Sequence, residues 1–464
     1  MHKAFRVIVW IVFSMVMLLI SIAILLQVTA VQNWAIDKAT NFLNKGSEFH
    51  AEIGHIKLNW WDALELRDVK ILDSQDSTMI AAEALLVDFK ISFILRSGPP
   101  PLDQVRIENA QVHLLIHAGD SSMNINRWIN ELNSRFGGSG SSSPTIFGIG
   151  GVAIRNSEFF LVNFNKDPIT DGLDYNRIRL KALNANLTDF KLNGDKINIS
   201  VKLLNAIETG SNLAIQEFKT DFLYSSKELE FANLSLKTSK SVLKDFLRFE
   251  FASPIAFSNF IDEVVIIANL EESKLHLEDL KLFAPTLPEI DDEIYLTGKV
   301  TGPVSDLKSE EFLIRVGQKT AIFGSFELDG LPEISKTYIN LSLKNSTVLA
   351  RDLSPYLPKT IEREIRKLNN IQFTADFAGL LSRFVTNGEF NTSIGSVKGR
   401  INYDTVNELP SVVSNVTLTD LDLGVLAEDQ ALFQKLSLNG NVNLKGNTLE
   451  NILVDVDAKI SKFS

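Results

Sequence analysis

The side chains best suited to chemistry are few and scattered. His113 and His117, in "QVHLLIHAG", share the parity of a strand, so both imidazoles can face one side. Two such histidines make a metal site only when further ligands converge on them, and none stands nearby in the sequence. Surface or edge histidines are the plainer reading. "IDDEI" (Ile290–Ile294) bunches three carboxylates. That can attract calcium, but the glycine-interrupted ligand spacing of a calcium loop is missing, and a solvated turn after "PTLPE" suffices. Asp455 and Asp457 alternate with apolar residues and belong to the wet face of a strand. N-x-S/T triplets, Asn198 and Asn415 among them, need no explanation beyond the abundance of Asn, Ser and Thr. The sequence has no nucleophile elbow, zinc-protease helix, phosphate loop or dinucleotide fingerprint. Cysteine is absent, which excludes disulfides, thiolate nucleophiles, Cys-ligated zinc and lipid attachment through Cys. No catalytic constellation, metal site or cofactor is implied, and the expectation is a protein that is not an enzyme.

The elements that must position these residues are therefore more informative. Of 464 residues, 45% are hydrophobic and 22% charged, which is ordinary for a folded chain. Phe occurs 30 times against 5 Trp and 6 Tyr, a balance that leans towards dry apolar surface. The net charge of −11 repels phosphate backbones, so nucleic-acid binding is not expected.

Behind a short basic head (His2, Lys3, Arg6), Val7 to Leu26 is apolar apart from Ser14 and Ser21. About 20 residues at ~1.5 Å rise span roughly 30 Å, the thickness of a bilayer core. The run exceeds the h-region of a cleavable signal peptide. It predicts a retained signal anchor over residues 1–30, with Val7, Trp10, Phe13, Leu18, Ile24 and Leu26 in the membrane. Lys3 and Arg6 then stay in the cytoplasm and the bulk of the chain crosses. "VQNWAIDKATNFLNKG" predicts a helix stopped at Gly46, either lying on the outer leaflet or capping the fold.

The remainder reads as strands. A cap region of mixed α and β character is expected over 31–136, including a helix at "SMNINRWINELNSRF", with a Gly/Ser linker at 137–144 and a repeating strand region over 145–464. Alternation is explicit at Ile197, Ile199, Val201 and Leu203, at Leu275 and Leu277, at Ile339, Leu341 and Leu343, at Val442 and Leu444, and at Ile452, Val454 and Val456. Such runs place one apolar and one wet face on each strand. Parity breaks between Phe231 and Leu234, which suggests a bulge. Only "SVLKDFLRF", Asp352–Asn370 and "LGVLAEDQALFQKL" read as further helices. "LTDFKLNG", "LEDLKLFAP", "ARDLSPYLP" and "LTDLDLGVL" are weakly self-similar, suggesting an array of like units. So few helices cannot cover so much apolar strand. Either a second sheet covers it as a sandwich, or the sheet curls on itself, or a foreign apolar molecule fills the trough.

An anchor, an amphipathic helix and "IGHIKLNWWDALELRDVKILD" (Ile53–Asp73) follow the order of the opening of AsmA-like proteins, which this chain resembles, the TamB branch especially. "STVLARDLSPYLP", "LTDLDLGVL" and "GSVKGRINYD" are similar to recurring family phrases. The resemblance implies a mainly β fold: one N-terminal transmembrane helix, then an elongated, curled antiparallel sheet forming a repeating β-groove with a few short amphipathic helices. It implies an inner-membrane, single-pass protein of the periplasm that takes part in phospholipid transport between the two membranes. The alternation residues named above would line the groove. It also implies, as an alternative, a scaffold for outer-membrane β-barrel assembly working with a barrel partner. A further alternative, which the strand texture allows beside the other two ways of covering it, is an anchored β-sandwich binding an envelope partner. TamB-type chains are far longer and end in a characteristic domain, whereas this sequence stops at "AKISKFS", so an N-terminal part or a short relative is expected.

Overall fold

The computed structural model describes residues 27–59, 63–89, 102–136, 147–193, 196–283, 289–357, 359–406, 409–432, 434–446 and 452–463, with 14, 17, 21, 25 and 285. The six predicted anchor residues, Val7, Trp10, Phe13, Leu18, Ile24 and Leu26, lie outside them, as does the Gly137–Pro144 stretch. Among the described residues no helix is long and apolar enough to cross a membrane. The chain is mainly β, as its alternation predicts, and its strands belong to one 22-stranded sheet. By internal contacts it divides into two units, Met1–Ser225 with Leu236–Ser239, and Ser226–Ser235 with Lys240–Ser464.

The first unit opens with helix α1 (Thr29–Asn44), ended by Gly46 at positive φ as predicted. Strands β1 (His50–Asn59), β2 (Ala63–Leu72) and β3 (Thr78–Phe89) form an antiparallel meander. β4 (Leu102–Glu108) and β5 (Gln111–Ile116) are successive pieces that pair with β3 on one side. On the other side both run parallel to β6 (Phe147–Asn163). A parallel neighbour requires a crossover, and helix α2 (Asn124–Phe136) lies in it. Antiparallel β7 (Arg177–Asn193), β8 (Lys196–Glu208) and β9 (Leu213–Tyr224) follow.

Asn44, the last residue of α1, joins the helix to β1. Its carboxamide donates to the Ala51 carbonyl (2.9 Å) and accepts from the Ala51 N–H (2.7 Å), so one side chain stands in for a neighbouring strand. Asn44→Ala is expected to cost about 1 kcal/mol, the net worth of a typical hydrogen bond. Amide exchange read residue by residue should show protection lost at Ala51 and kept along β2. Retained protection at Ala51 would contradict this role.

β10 (Glu228–Thr238) has residues in each unit, and its Asn233 takes positive φ at the predicted parity break. In the second unit β11 (Val242–Glu250) is a strand, although "SVLKDFLRF" reads as helical. A helical turn, α3 (Phe260–Glu263), leads into β12 (Val265–His276). Phe251, Ala256 and Val264 form a small core there with Phe249 and Phe260. Then come helix α4 (Leu277–Lys281), β13 (Glu293–Gly302), β14 (Asp306–Val316), β15 (Thr320–Asp329) and β16 (Tyr338–Leu349). Helices α5 (Ala350–Leu353) and α6 (Lys359–Leu368) precede β17 (Asn370–Leu380), β18 (Arg383–Thr392), β19 (Gly395–Asp404) and β20 (Ser411–Asp422). Helix α7 (Leu423–Ala427), β21 (Lys435–Lys445) and β22 (Leu453–Phe463) complete the unit. From β11 to β22 each strand pairs antiparallel with the next.

The weak self-similarity has a regular structural counterpart. β12, β16 and β20 each have 12 residues and each runs straight into a short helix. Those helices open at Leu277, Ala350 and Leu423, an interval of 73 residues (350 − 277 and 423 − 350). The closing residue of each strand also makes an equivalent bond. His276 N–H donates to Ser241 Oγ, Leu349 N–H to Thr320 Oγ1 and Asp422 N–H to the Ile394 carbonyl. Each step therefore spans four strands and opens with one short helix, the second step carrying α6 as well. Three of the four similar phrases sit at these helices, whereas "LTDFKLNG" ends β7.

Bulges recur with one chemical solution. Asn156, Glu272 and Asn345 take positive φ inside strands, and each is followed by a buried serine, Ser157, Ser273 or Ser346. A bulge leaves neighbouring backbone groups unpaired. The serine hydroxyls accept from Ala110 N–H (3.0 Å), Lys244 N–H (2.9 Å) and Phe323 N–H (3.0 Å) respectively.

Candidate functional site

Directly paired residues of neighbouring strands share a face, so the register traces each face across the sheet. In the second unit one row runs Leu270, Gly298, Phe312, Gly324, Leu343, Ala375, Gly388, Gly399, Val416, Gly440, Ala458. It crosses β12 to β22 without a gap. A parallel row runs Leu341, Phe377, Thr386, Ile401, Ser414, Val442, Val456. Another runs Ile339, Gly379, Phe384, Tyr403, Val412, Leu444, Val454. The rows are close-set: a Cβ on Gly298, whose φ is +141°, would lie 2.8 Å from Phe312 Cα. Large rings flank the small residues, with Phe377 and Phe384 at 4.7 Å between centroids and Phe373 and Phe390 at 5.7 Å.

None of the register-paired positions on this face from β12 to β22 carries a charge. Two of its hydroxyls turn to the backbone: Thr386 donates to the Asp376 carbonyl (2.9 Å) and Ser346 to the Phe323 carbonyl (3.2 Å). The opposite face holds the charges in cross-strand pairs, Lys398 with Glu389 and Arg383 with Asp404, each at 3.0 Å. Asp455 and Asp457 pair with Asn443 and Asn441 on that wet face, as their alternation predicts.

The apolar face is only partly covered. Leu341, Leu343, Val442 and Leu444 are half-buried, and Val454 and Val456 on β22 are 57% and 49% exposed. The inner face of a closed sandwich would be buried throughout.

The first unit carries a comparable row: Ile56, Leu66, Leu85, Ile107, Ile154, Ala185, Leu204, Phe218. Ile197, Ile199 and Val201 share a face, pairing with Tyr224, Phe222 and Thr220. Leu203 does not. The register shifts after Val201, so Leu203 pairs with Asn186 while Leu204 takes the inward place beside Ala185. Two further alternation residues leave the strand pattern: Leu277 is the buried first residue of α4, and Ile452 precedes β22. Leu275 stays on the apolar face opposite Ile294.

The sequence's chemical candidates resolve into separate structural roles. His113 packs on the Phe160 ring at 4.6 Å, and burial pushes its imidazole pKa down. His117 Nε2 instead bonds Asp73 Oδ2 at 2.7 Å and stacks on Phe164. Asn124, at the start of α2, donates to the same oxygen at 3.0 Å, while Asp73 Oδ1 accepts from the Gln75 and Ser77 N–H groups. Asp73, His117 and Asn124 are all buried. This knot ties the β2–β3 turn, the end of β5 and the start of α2. Asp73 lies 44 and 51 residues from its side-chain partners, a separation that no local pattern reveals. In the acidic turn, Asp291 takes His276, Asp292 accepts from the Tyr356 hydroxyl (2.9 Å) and Glu293 pairs with Lys274 (2.7 Å). Each carboxylate there is engaged separately. Among the described residues no group of three or more His, Asp or Glu is arranged to hold a metal ion.

No protein family, no curated protein and no solved structure matches this chain.

Proposed function

We propose that this is a membrane-anchored β-groove protein that carries phospholipid acyl chains along its apolar sheet face, between the inner and outer membranes of a diderm envelope. One observation carries the reading: an unbroken, uncharged apolar face crosses eleven successive strands, β12 to β22, and remains partly open. Ten inter-strand steps at ~4.8 Å extend roughly 48 Å, longer than a bilayer core is thick. Each CH₂ removed from water contributes about 0.8 kcal/mol, so a sixteen-carbon chain gains roughly 10 kcal/mol from such a surface. Movement along it needs no catalytic group, only the absence of strong traps, and an uncharged lining meets that need. The apolar run Val7–Leu26 supports single-pass anchoring in the inner membrane with the sheet in the periplasm.

The test is photocrosslinking in the full chain, in membranes, with a benzophenone side chain at Leu341 or at Lys398 on the opposite face. Phospholipid adducts at Leu341 and none at Lys398 are expected. Equal labelling, or no lipid adduct together with no phospholipid in the purified protein, would sink the reading. The alternative, a scaffold for barrel assembly, draws on β22, whose Leu453 and Phe463 are 67% and 63% exposed. It predicts protein adducts along β22 through strand addition rather than lipid adducts at Leu341.

A further inference from the structure

Helix α1 has two distinct sides. One is held against β1 by the Asn44 carboxamide, with Ile36, Thr40 and Leu43 partly covered. The other side carries Trp34, Lys38 and Phe42, continued by Lys45 just past the helix end, spaced by four, four and three residues, all exposed. At 3.6 residues per turn these four make one stripe, and ~1.5 Å per residue puts Trp34 and Phe42 about 12 Å apart. Trp34 is 61% and Phe42 63% exposed. Asp37 and Asn41 flank the stripe and are exposed as well.

We propose that this stripe lies in a lipid bilayer surface containing anionic phospholipid, with Trp34 and Phe42 in the headgroup–acyl boundary and Lys38 and Lys45 reaching phosphate. Three features select a bilayer over another partner. α1 begins at Thr29, directly after the apolar run Val7–Leu26, so on the anchored reading, which this inference rests on, the helix emerges at the interface. An indole and a phenyl ring interleaved with lysines suit an interface, since rings settle at headgroup depth and lysine stems extend outwards. The bond from Asn44 to β1 fixes the helix rotation, so the stripe cannot turn inwards without breaking it.

The natural absence of cysteine permits a direct test. Full-length Trp34→Cys, Phe42→Cys, Met17→Cys and Asn387→Cys variants are labelled with an environment-sensitive fluorophore. Each is reconstituted in vesicles of phosphatidylethanolamine and phosphatidylglycerol. Nitroxide lipids quench either near the headgroup or at the acyl terminus. A probe at 34 or 42 is expected to shift to the blue and to lose more emission to the shallow quencher than to the deep one. The probe at 17 should show the reverse, and the probe at 387 should respond to neither. Quenching at 17 without quenching at 34 and 42 overturns the inference and leaves the anchor standing. Shallow quenching at 34 and 42 without any at 17 supports surface binding and removes the anchor. A blue shift at 34 and 42 that no lipid quencher reduces assigns the stripe to a protein contact, a second copy included, and overturns the inference.

Discussion

Full-length protein carrying Leu341→Asp and Val442→Asp is expected to lose more than nine-tenths of its phospholipid adducts while keeping its fold. Both residues stand in the row that passes through Phe377 and Ile401, and both are half-buried. In the empty protein the new carboxylates keep part of their hydration, so the stability loss is modest. An acyl chain lying over them would strip that water. The effective penalty for desolvating an unpaired charge is several kcal/mol, and each ~1.4 kcal/mol is tenfold in occupancy. Two such charges across one path therefore exceed the required loss comfortably. The matched control is Asn387→Asp with Asn439→Asp, which adds the same charge on the wet face. It should leave adduct yield unchanged. The measurement is mass spectrometry of lipid crosslinked at Leu343, with the denaturant midpoint recorded for each variant. Undiminished adducts in the Leu341/Val442 variant would show that chains do not travel over this row.

The strand texture was legible because alternation depends on only the nearest neighbours, and most of the named runs fall inside strands. The errors occur where a bulge inserts one residue. In β8 the doublet Leu203–Leu204 leaves the inward residue undetermined by sequence. The partner strand decides it, pairing Leu203 with Asn186 and Leu204 with Ala185. In β11 a bulge at Asp245, with positive φ, shifts the parity between Val242 and Leu247. Apolar residues then fall three and four apart, the spacing of a helix, and the segment reads as one. Unequal connections hide the repeat. The 73-residue interval holds for β12, β16 and β20, but the next strands begin at Glu293, Asn370 and Lys435, because the three connections differ in length and only the second contains α6. The apolar face was predictable as a property of single strands. Its continuity was not, because each step depends on the register between strands.

Asp73→Ala is expected to cost the first unit roughly 3–5 kcal/mol, the loss typical of removing one partner from a buried charge-assisted cluster. The substitution removes the acceptor of His117 Nε2 and of the Gln75 and Ser77 N–H groups, and one of the two acceptors of Asn124 Nδ2, which keeps the His113 carbonyl. Burial by itself would raise the Asp73 pKa. The hydrogen bonds from His117, Asn124, Gln75 and Ser77 outweigh it and hold the carboxyl below its ordinary value. A depressed folded pKa stabilises the folded state above the unfolded value, about 3.9. That contribution is lost as pH falls through the folded pKa, because protons then bind the unfolded chain first. Denaturation followed at amides of β2, β3 and β5 should therefore show stability falling with pH below about 4 in the natural protein. Asp73→Asn, which cannot ionise, should start lower near neutrality and fall less over the same interval. Amides of β17 to β21, in the other unit, should hold their protection at neutral pH in both variants. If Asp73→Ala unfolds no more easily than the natural chain, or if Asp73→Asn keeps the full acid dependence, the buried carboxylate does not hold the β2–β3 turn to α2.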